Sequence, residues 1–220
     1  MNIFKIASLM LAFLFGIANS SQAQVVLDQS FDAIAENPFN PGRSSLTATQ
    51  SLTQTFTVGQ AGLLFQIDVQ VNSTAPTPTT GLVLDLLQVS NGQPILSSLG
   101  SVDIPRSDIP PLFLGQNVGE FVSVDVSGLG INVNPGDVLA FELTHPTDTG
   151  AYTAFVGTTD GYSAGQFFFR NPPETNIMTS SATQDIGFQT FVQVPEPTGA
   201  IPMLISMVCI FAKRNKRARI

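Results

Sequence analysis

Across residues 24–193 apolar side chains recur at every second position, in short runs cut by Gly, Pro, Asn and Ser. This period of two constrains the fold more than any other feature, because it suits half-buried strands and offers no helix a stripe to bury. Leu52-Thr53-Gln54-Thr55-Phe56-Thr57-Val58 and Phe121-Val122-Ser123-Val124-Asp125-Val126 alternate cleanly, as strands do when one face meets a core and the other meets water. Strands are expected over residues 25–31, 51–58, 63–71, 82–89, 95–102, 121–126, 138–143, 151–156, 166–170 and 186–192. The connectors carry turn chemistry. Ser90-Asn91-Gly92-Gln93 reads as a hairpin through Asn-Gly. Asn134-Pro135-Gly136-Asp137 places proline at i+1 and glycine at i+2, the type II pattern. Residues 74–80, 104–111 and 171–184 read as longer loops.

About ten short strands at this spacing predict an all-β chain folded as a single antiparallel β-sandwich of jelly-roll type. About 170 residues suffice for one domain with a core of its own. The charge of this stretch is lopsided. It holds 15 acidic residues against three basic ones (Arg43, Arg106 and Arg170), a net of −12 that the −7 of the whole chain conceals. Such a surface repels phosphates, so no nucleic-acid partner is expected, and it favours solubility and divalent cations. The one cysteine, Cys209, lies near the C-terminus. The body therefore has neither a disulfide nor a cysteine-based zinc site, and core burial must hold it together.

Residues 1–23 read as a secretory signal peptide: Lys5, an apolar run over 6–17, then Ser21-Gln22-Ala23 in the small-x-small cleavage pattern. Gln24 is the expected mature N-terminus. Residues 194–220 form a tail in three parts. Pro195 and Pro197 fix their own φ and remove two amide donors, so this stretch stays outside regular structure and open to a processing enzyme. The uncharged residues 200–212 follow, 13 in all; as a short C-terminal helix they reach about 20 Å, less than the ~30 Å hydrocarbon core. Last come Lys213, Arg214, Lys216, Arg217 and Arg219, a basic stop that belongs on the cytoplasmic side.

In this order of parts the tail resembles the PEP-CTERM sorting signal of Gram-negative and related bacteria, with Pro195-Glu196-Pro197 as the box. It departs from the commoner pattern in Pro202, which interrupts the apolar span, and in its mixed Lys/Arg end. The resemblance implies recognition by an exosortase, a membrane-embedded thiol peptidase, with cleavage near the box and a mature protein outside the cell. The alternative is an ordinary C-terminal membrane anchor. The body in turn resembles secreted bacterial jelly-roll domains, many of them akin in fold to carbohydrate-binding modules. Residues 54–58, 133–141 and 185–192 carry that similarity.

Catalytic chemistry finds little footing. The one histidine, His145, sits in Thr144-His145-Pro146 at a strand end, and no Gly-x-Ser-x-Gly elbow occurs. Asp103 with Asp108, and Asp125 with Asp137 and Glu142, lie close in sequence, but no spacing singles out a general acid and base. No enzyme is expected. Calcium draws oxygen ligands from loops, and Asp148, Asp160 and Asp185 are the aspartates so placed; each also suits an ordinary turn. A structural Ca²⁺ is the one cofactor to weigh. Among sugar-stacking rings there is no tryptophan, which leaves Tyr152 and Tyr162, with Asp160, as candidate contacts on the loops near 148–166. A tyrosine closing the sandwich edge is the competing reading.

These features together point to an exported, non-enzymatic cell-surface or extracellular-matrix protein associating with extracellular polysaccharide. The alternative is a lectin-like module or a carbohydrate-active enzyme using the loops near 148–166.

Overall fold

The structure, a computed structural model, describes residues 23–74, 78–112, 119–146, 150–159, 161–171 and 178–195. The chain divides into two units, Val25–Val194 and a second made of Met1–Gln24 with Pro195–Ile220. Nearly all of the second lies outside the described residues, and with it the expected signal peptide, Glu196, Pro197, the apolar tail and the basic stop. Among the described residues no helix is long and apolar enough to cross a membrane.

The strands in chain order are β1 (Gln24–Phe31), β2 (Gly42–Leu46), β3 (Ser51–Thr57), β4 (Gly62–Thr74), β5 (Leu82–Ser90), β6 (Gln93–Ile104) and β7 (Pro111–Leu112). They continue with β8 (Phe121–Asp125), β9 (Asn132–Val133), β10 (Val138–Thr144), β11 (Tyr152–Val156), β12 (Phe167–Arg170), β13 (Thr179–Ser181) and β14 (Phe188–Val194). One short helix, α1 (Ala33–Glu36), follows β1.

The strands form two sheets. The first runs β1-β14-β4-β11-β2, with β7, β8 and β9 also on β4; the second runs β13-β12-β3-β10-β5-β6. Ladders are antiparallel apart from the short β4–β7 pair, which is parallel. The chain changes sheet repeatedly, at β2 to β3, β3 to β4, β4 to β5, β6 to β7, β9 to β10, β10 to β11, β11 to β12 and β13 to β14. The result is a β-sandwich.

Period-two alternation sets which side chains meet. Leu52 and Phe56 on β3, Phe141 and Leu143 on β10, and Leu84 and Leu86 on β5 face Ile67, Val69 and Val71 on β4 and Phe188 and Val192 on β14, all buried in one core. Phe188 joins the sheets: its ring lies 5.6 Å from Phe141 and 6.2 Å from Phe56, tilted to both. Tilted aromatic pairs of this kind add about 0.5–1.5 kcal/mol beyond the burial of their surface.

Both expected turns are present. Asn91 and Gly92 take φ of 53° and 74°, the pair of left-handed residues that a two-residue hairpin needs. Gly136 has φ 91°, and Asp137 N donates to Asn134 O at 3.0 Å, closing the type II turn. Strand boundaries differ in places. β4 runs on to Thr74 because Asn72 and Ser73, though polar, pair with Thr153 and Tyr152. β2, β7, β9, β13 and α1 were not expected. β2 reads Gly-Arg-Ser-Ser-Leu and β13 reads Thr-Ser-Ser; neither carries a period, and each forms only because a neighbour offers a ladder.

Candidate functional site

The two tyrosines expected as ligand contacts fall inside the sandwich, and Asp160, the third expected contact, lies outside the described residues. Tyr152 is fully buried on β11; its hydroxyl donates to Thr80 O, and its ring meets His145 edge-on at 5.2 Å. His145 is itself buried, with Nε2 3.2 Å from Thr80 Oγ1. Tyr162 is buried too. Its ring stands at 90° to Phe188 with centroids 5.0 Å apart, and its hydroxyl donates to Gln29 Oε1 at 3.0 Å and accepts from Thr57 N. Burial pushes this phenol up to about 12, and the nearby Asp28 and Asp185 carboxylates act in the same direction. Neither tyrosine can stack on a sugar. Tyrosine carries an apolar body and a polar tip, and here both ends are satisfied by the protein.

Asp185 is likewise a structural residue. It is 1% exposed, and its Oδ1 accepts from Gln54 Nε2 at 2.9 Å while its Oδ2 accepts from Tyr162 N at 3.1 Å. Gln54 Oε1 accepts in turn from Ile186 N at 2.9 Å. Gln54 belongs to the second sheet and Asp185 leads into the first, so the pair is a polar clamp between layers. With N–H donors on both oxygens, Asp185 holds the loop to the second sheet. Asp148 and Asp160, the other two aspartates expected as calcium ligands, lie outside the described residues. Among the described residues no three His, Cys, Asp or Glu side chains gather as metal ligands would.

The glycines around Tyr162 have a packing role. A Cβ at Gly157 would come within 2.7 Å of the Phe31 ring, and one at Gly161 within 2.5 Å. Glu36 accepts from Thr158 N at 3.0 Å and from the Thr159 hydroxyl. The close approach that these glycines permit is to Phe31, and not to a ligand.

Other acids are also held by the fold. Glu142, 1% exposed, takes a two-pronged contact from Arg170, Nε at 2.6 Å and an Nη at 3.0 Å, and a hydroxyl hydrogen bond from Ser51 at 2.5 Å. Asp32 caps α1 by accepting from Ile34 N and Ala35 N, each at 3.0 Å. Asp28 accepts from Gly59 N, and burial raises its pKa above the usual carboxylate range. The exposed Asp125 accepts from the Ser127 backbone and hydroxyl, which hold its pKa below that range.

One surface escaped the sequence reading. On the outer face of the first sheet, β4 turns Gln66, Asp68 and Gln70 away from the core, at the positions between Ile67, Val69 and Val71. Register brings Phe191 and Asp125 beside Gln66, and Gln189 and Ser123 beside Asp68. Phe121 pairs with Gln70. Ser123 and Asp125 are exposed, Phe121, Phe191, Gln66 and Gln189 are partly so, and Asp68 and Gln70 between them are buried. Gln66 Nε2 donates to Asp68 Oδ1 at 2.7 Å, and Gln189 Nε2 to Ser30 Oγ at 3.3 Å. Gln70 fastens one end of the face under α1, accepting from Ala33 N and donating to Asp32. The available signal was Gln-Ile-Asp-Val-Gln-Val-Asn itself, an alternation whose polar half is carboxamide and carboxylate.

Fold and site define an all-β protein with two antiparallel sheets, polar on one outer face. No protein-family model matches the chain, and no curated protein does. Among solved structures it is similar to the crystal structure of the infectious bursal disease virus VP2 subviral particle. That similarity has 11% identity and a TM-score of 0.22, and covers 81% of this chain and 50% of the other. The chain thus spans half of the VP2 chain, and a likeness of this size says nothing about function.

Proposed function

We propose that this is an exported, non-enzymatic surface or matrix protein, processed at Pro195-Glu196-Pro197 by an exosortase-type peptidase and associating with extracellular polysaccharide through its body. The observation that carries the sorting half is where the sandwich stops. The strand-bearing unit spans Val25–Val194. It begins one residue after the expected mature N-terminus and ends one residue before Pro195. Cleavage at either end would spare every ladder of β14, the last strand among the described residues.

The non-enzymatic half is supported by the use made of the acids. Glu142, Asp185, Asp32 and Asp28 each accept hydrogen bonds from neighbouring protein groups. Carboxylates so engaged are poor general acids or bases. A jelly roll fits the repeated change of sheet along the chain, and the polysaccharide step rests on likeness to such domains.

Intact-mass measurement on protein recovered from the native surface and medium tests this reading. A species running from Gln24 to near Pro197 is expected, with any added mass reporting an attached group. A species still ending at Ile220 would overturn the sorting reading and leave a plain membrane anchor.

A further inference from the structure

We infer that the outer face of the first sheet, centred on Gln66, Ser123 and Gln189 and flanked by Phe121 and Phe191, binds an uncharged polysaccharide chain. The inference deepens the surface-polysaccharide reading and rests on it. The chemistry of the face selects the ligand. Carboxamides donate and accept at once, carboxylates accept, and a serine hydroxyl does either. That mixture suits the hydroxyl groups of a sugar, which also do both. Gln66, Gln189, Ser123 and Asp125 supply it on three neighbouring strands, in register, with the buried Asp68 holding the Gln66 carboxamide from below.

The rings add the apolar half. Phe121 and Phe191 stand on the wet side of the sheet while Val122 and Val192 beside them enter the core. A phenylalanine partly in water on a polar face offers its flat surface to the C–H face of a sugar. Phe121 is level with Gln70 and Phe191 with Gln66, on strands either side of β4. Two strand spacings and four residues of rise place them about 16 Å apart, farther than one sugar ring reaches. The face therefore suits a polymer and not a monosaccharide.

Charge excludes anionic polymers. The body is −12 with no lysine, and among the described residues the β14, β4 and β8 part of the face carries carboxylates and no cation. An anionic polysaccharide would meet repulsion there.

Native gel electrophoresis through gels containing hydroxyethylcellulose, soluble starch or alginate tests the proposal on the protein recovered from its own host. Retardation is expected in at least one of the two neutral gels and not in alginate. Phe121→Ala with Phe191→Ala should weaken that retention at least tenfold. Ser123→Arg, which puts a long side chain on an exposed position in the middle of the face, should do the same with unchanged melting. If the Phe pair fails to fold, Ser123→Arg decides. Wild type retarded and Ser123→Arg retarded equally would overturn this face and leave the polysaccharide reading standing. Retardation in alginate alone would overturn the assignment of an uncharged ligand. No retardation in any gel would overturn both, while the mass of the mature protein would still decide the sorting reading. Self-association in sedimentation, lost in Ser123→Arg without neutral-gel retention, would make the face a contact between copies and overturn the proposal.

Discussion

Gln54 stands between Leu52 and Phe56 on the core face of β3, where a carboxamide without partners would cost a few kcal/mol. Asp185 and Ile186 N supply those partners, and the pair ties one sheet to the other. Glu142 is the charged counterpart. It is buried, and Arg170 keeps 19% of its side chain in water, so removing the guanidinium strands a carboxylate. Arg170→Ala should lower stability by about 3 kcal/mol, the low end for a buried pair because of that exposure. The double variant Arg170→Met, Glu142→Leu should recover most of the loss, and urea unfolding of the two measures it. Equal losses would mean that the pair contributes no more than its packing. Tyr162 gives a pH dependence. Its folded pKa, raised to about 12 from an ordinary 10, means that the phenol's contribution is complete below pH 10 and is lost as pH rises through 12. Wild type should lose about 2 kcal/mol across that window beyond what Tyr162→Phe loses, read from urea midpoints. A parallel decline in both would show that Tyr162 ionises as freely folded as unfolded.

At the scale of elements, legibility followed local chemistry. β3, β5, β8 and β10 could be read because their alternation is strong, and the Asn91-Gly92 hairpin because positive φ favours those two residues. β2 and β13 could not, since Gly-Arg-Ser-Ser-Leu and Thr-Ser-Ser become strands only against β11 and β12. The same limit hid the candidate face. Each of Gln66, Asp68 and Gln189 was visible as a polar position between apolar ones, but nothing local says that β14, β4 and β8 lie side by side. It also misplaced the tyrosines, whose polar flanks suggested a surface. Tyr152 and Tyr162 have hydroxyls that reach Thr80 and Gln29 from inside, a partnership set by packing across distant segments. Asp185 was picked out as a candidate calcium ligand or turn residue; nothing local announces its hydrogen bond with Gln54, 131 positions away.

For the whole molecule, the decisive fact is that the last strand among the described residues is an interior one. β14 sits between β1 and β4 in the first sheet, and it brings Phe188, Thr190 and Val192 into the buried interior. A chain that put its final strand at a sheet edge could lose it to trimming near the C-terminus. This one cannot, which makes the position of the Pro-Glu-Pro box consequential. A chain ending after residue 194 should melt within a few degrees of one ending after 197, since every ladder survives. A chain ending after residue 187 should not fold. Losing Phe188 alone would remove about 3–5 kcal/mol, and Val192 and two ladders go with it, against a total of about 5–15 kcal/mol for a domain. Thermal melting followed by circular dichroism separates the outcomes. A cooperative transition in the chain cut after 187 would mean that β14 is peripheral, and the coincidence between the end of the sandwich and the start of the tail would then lose its meaning.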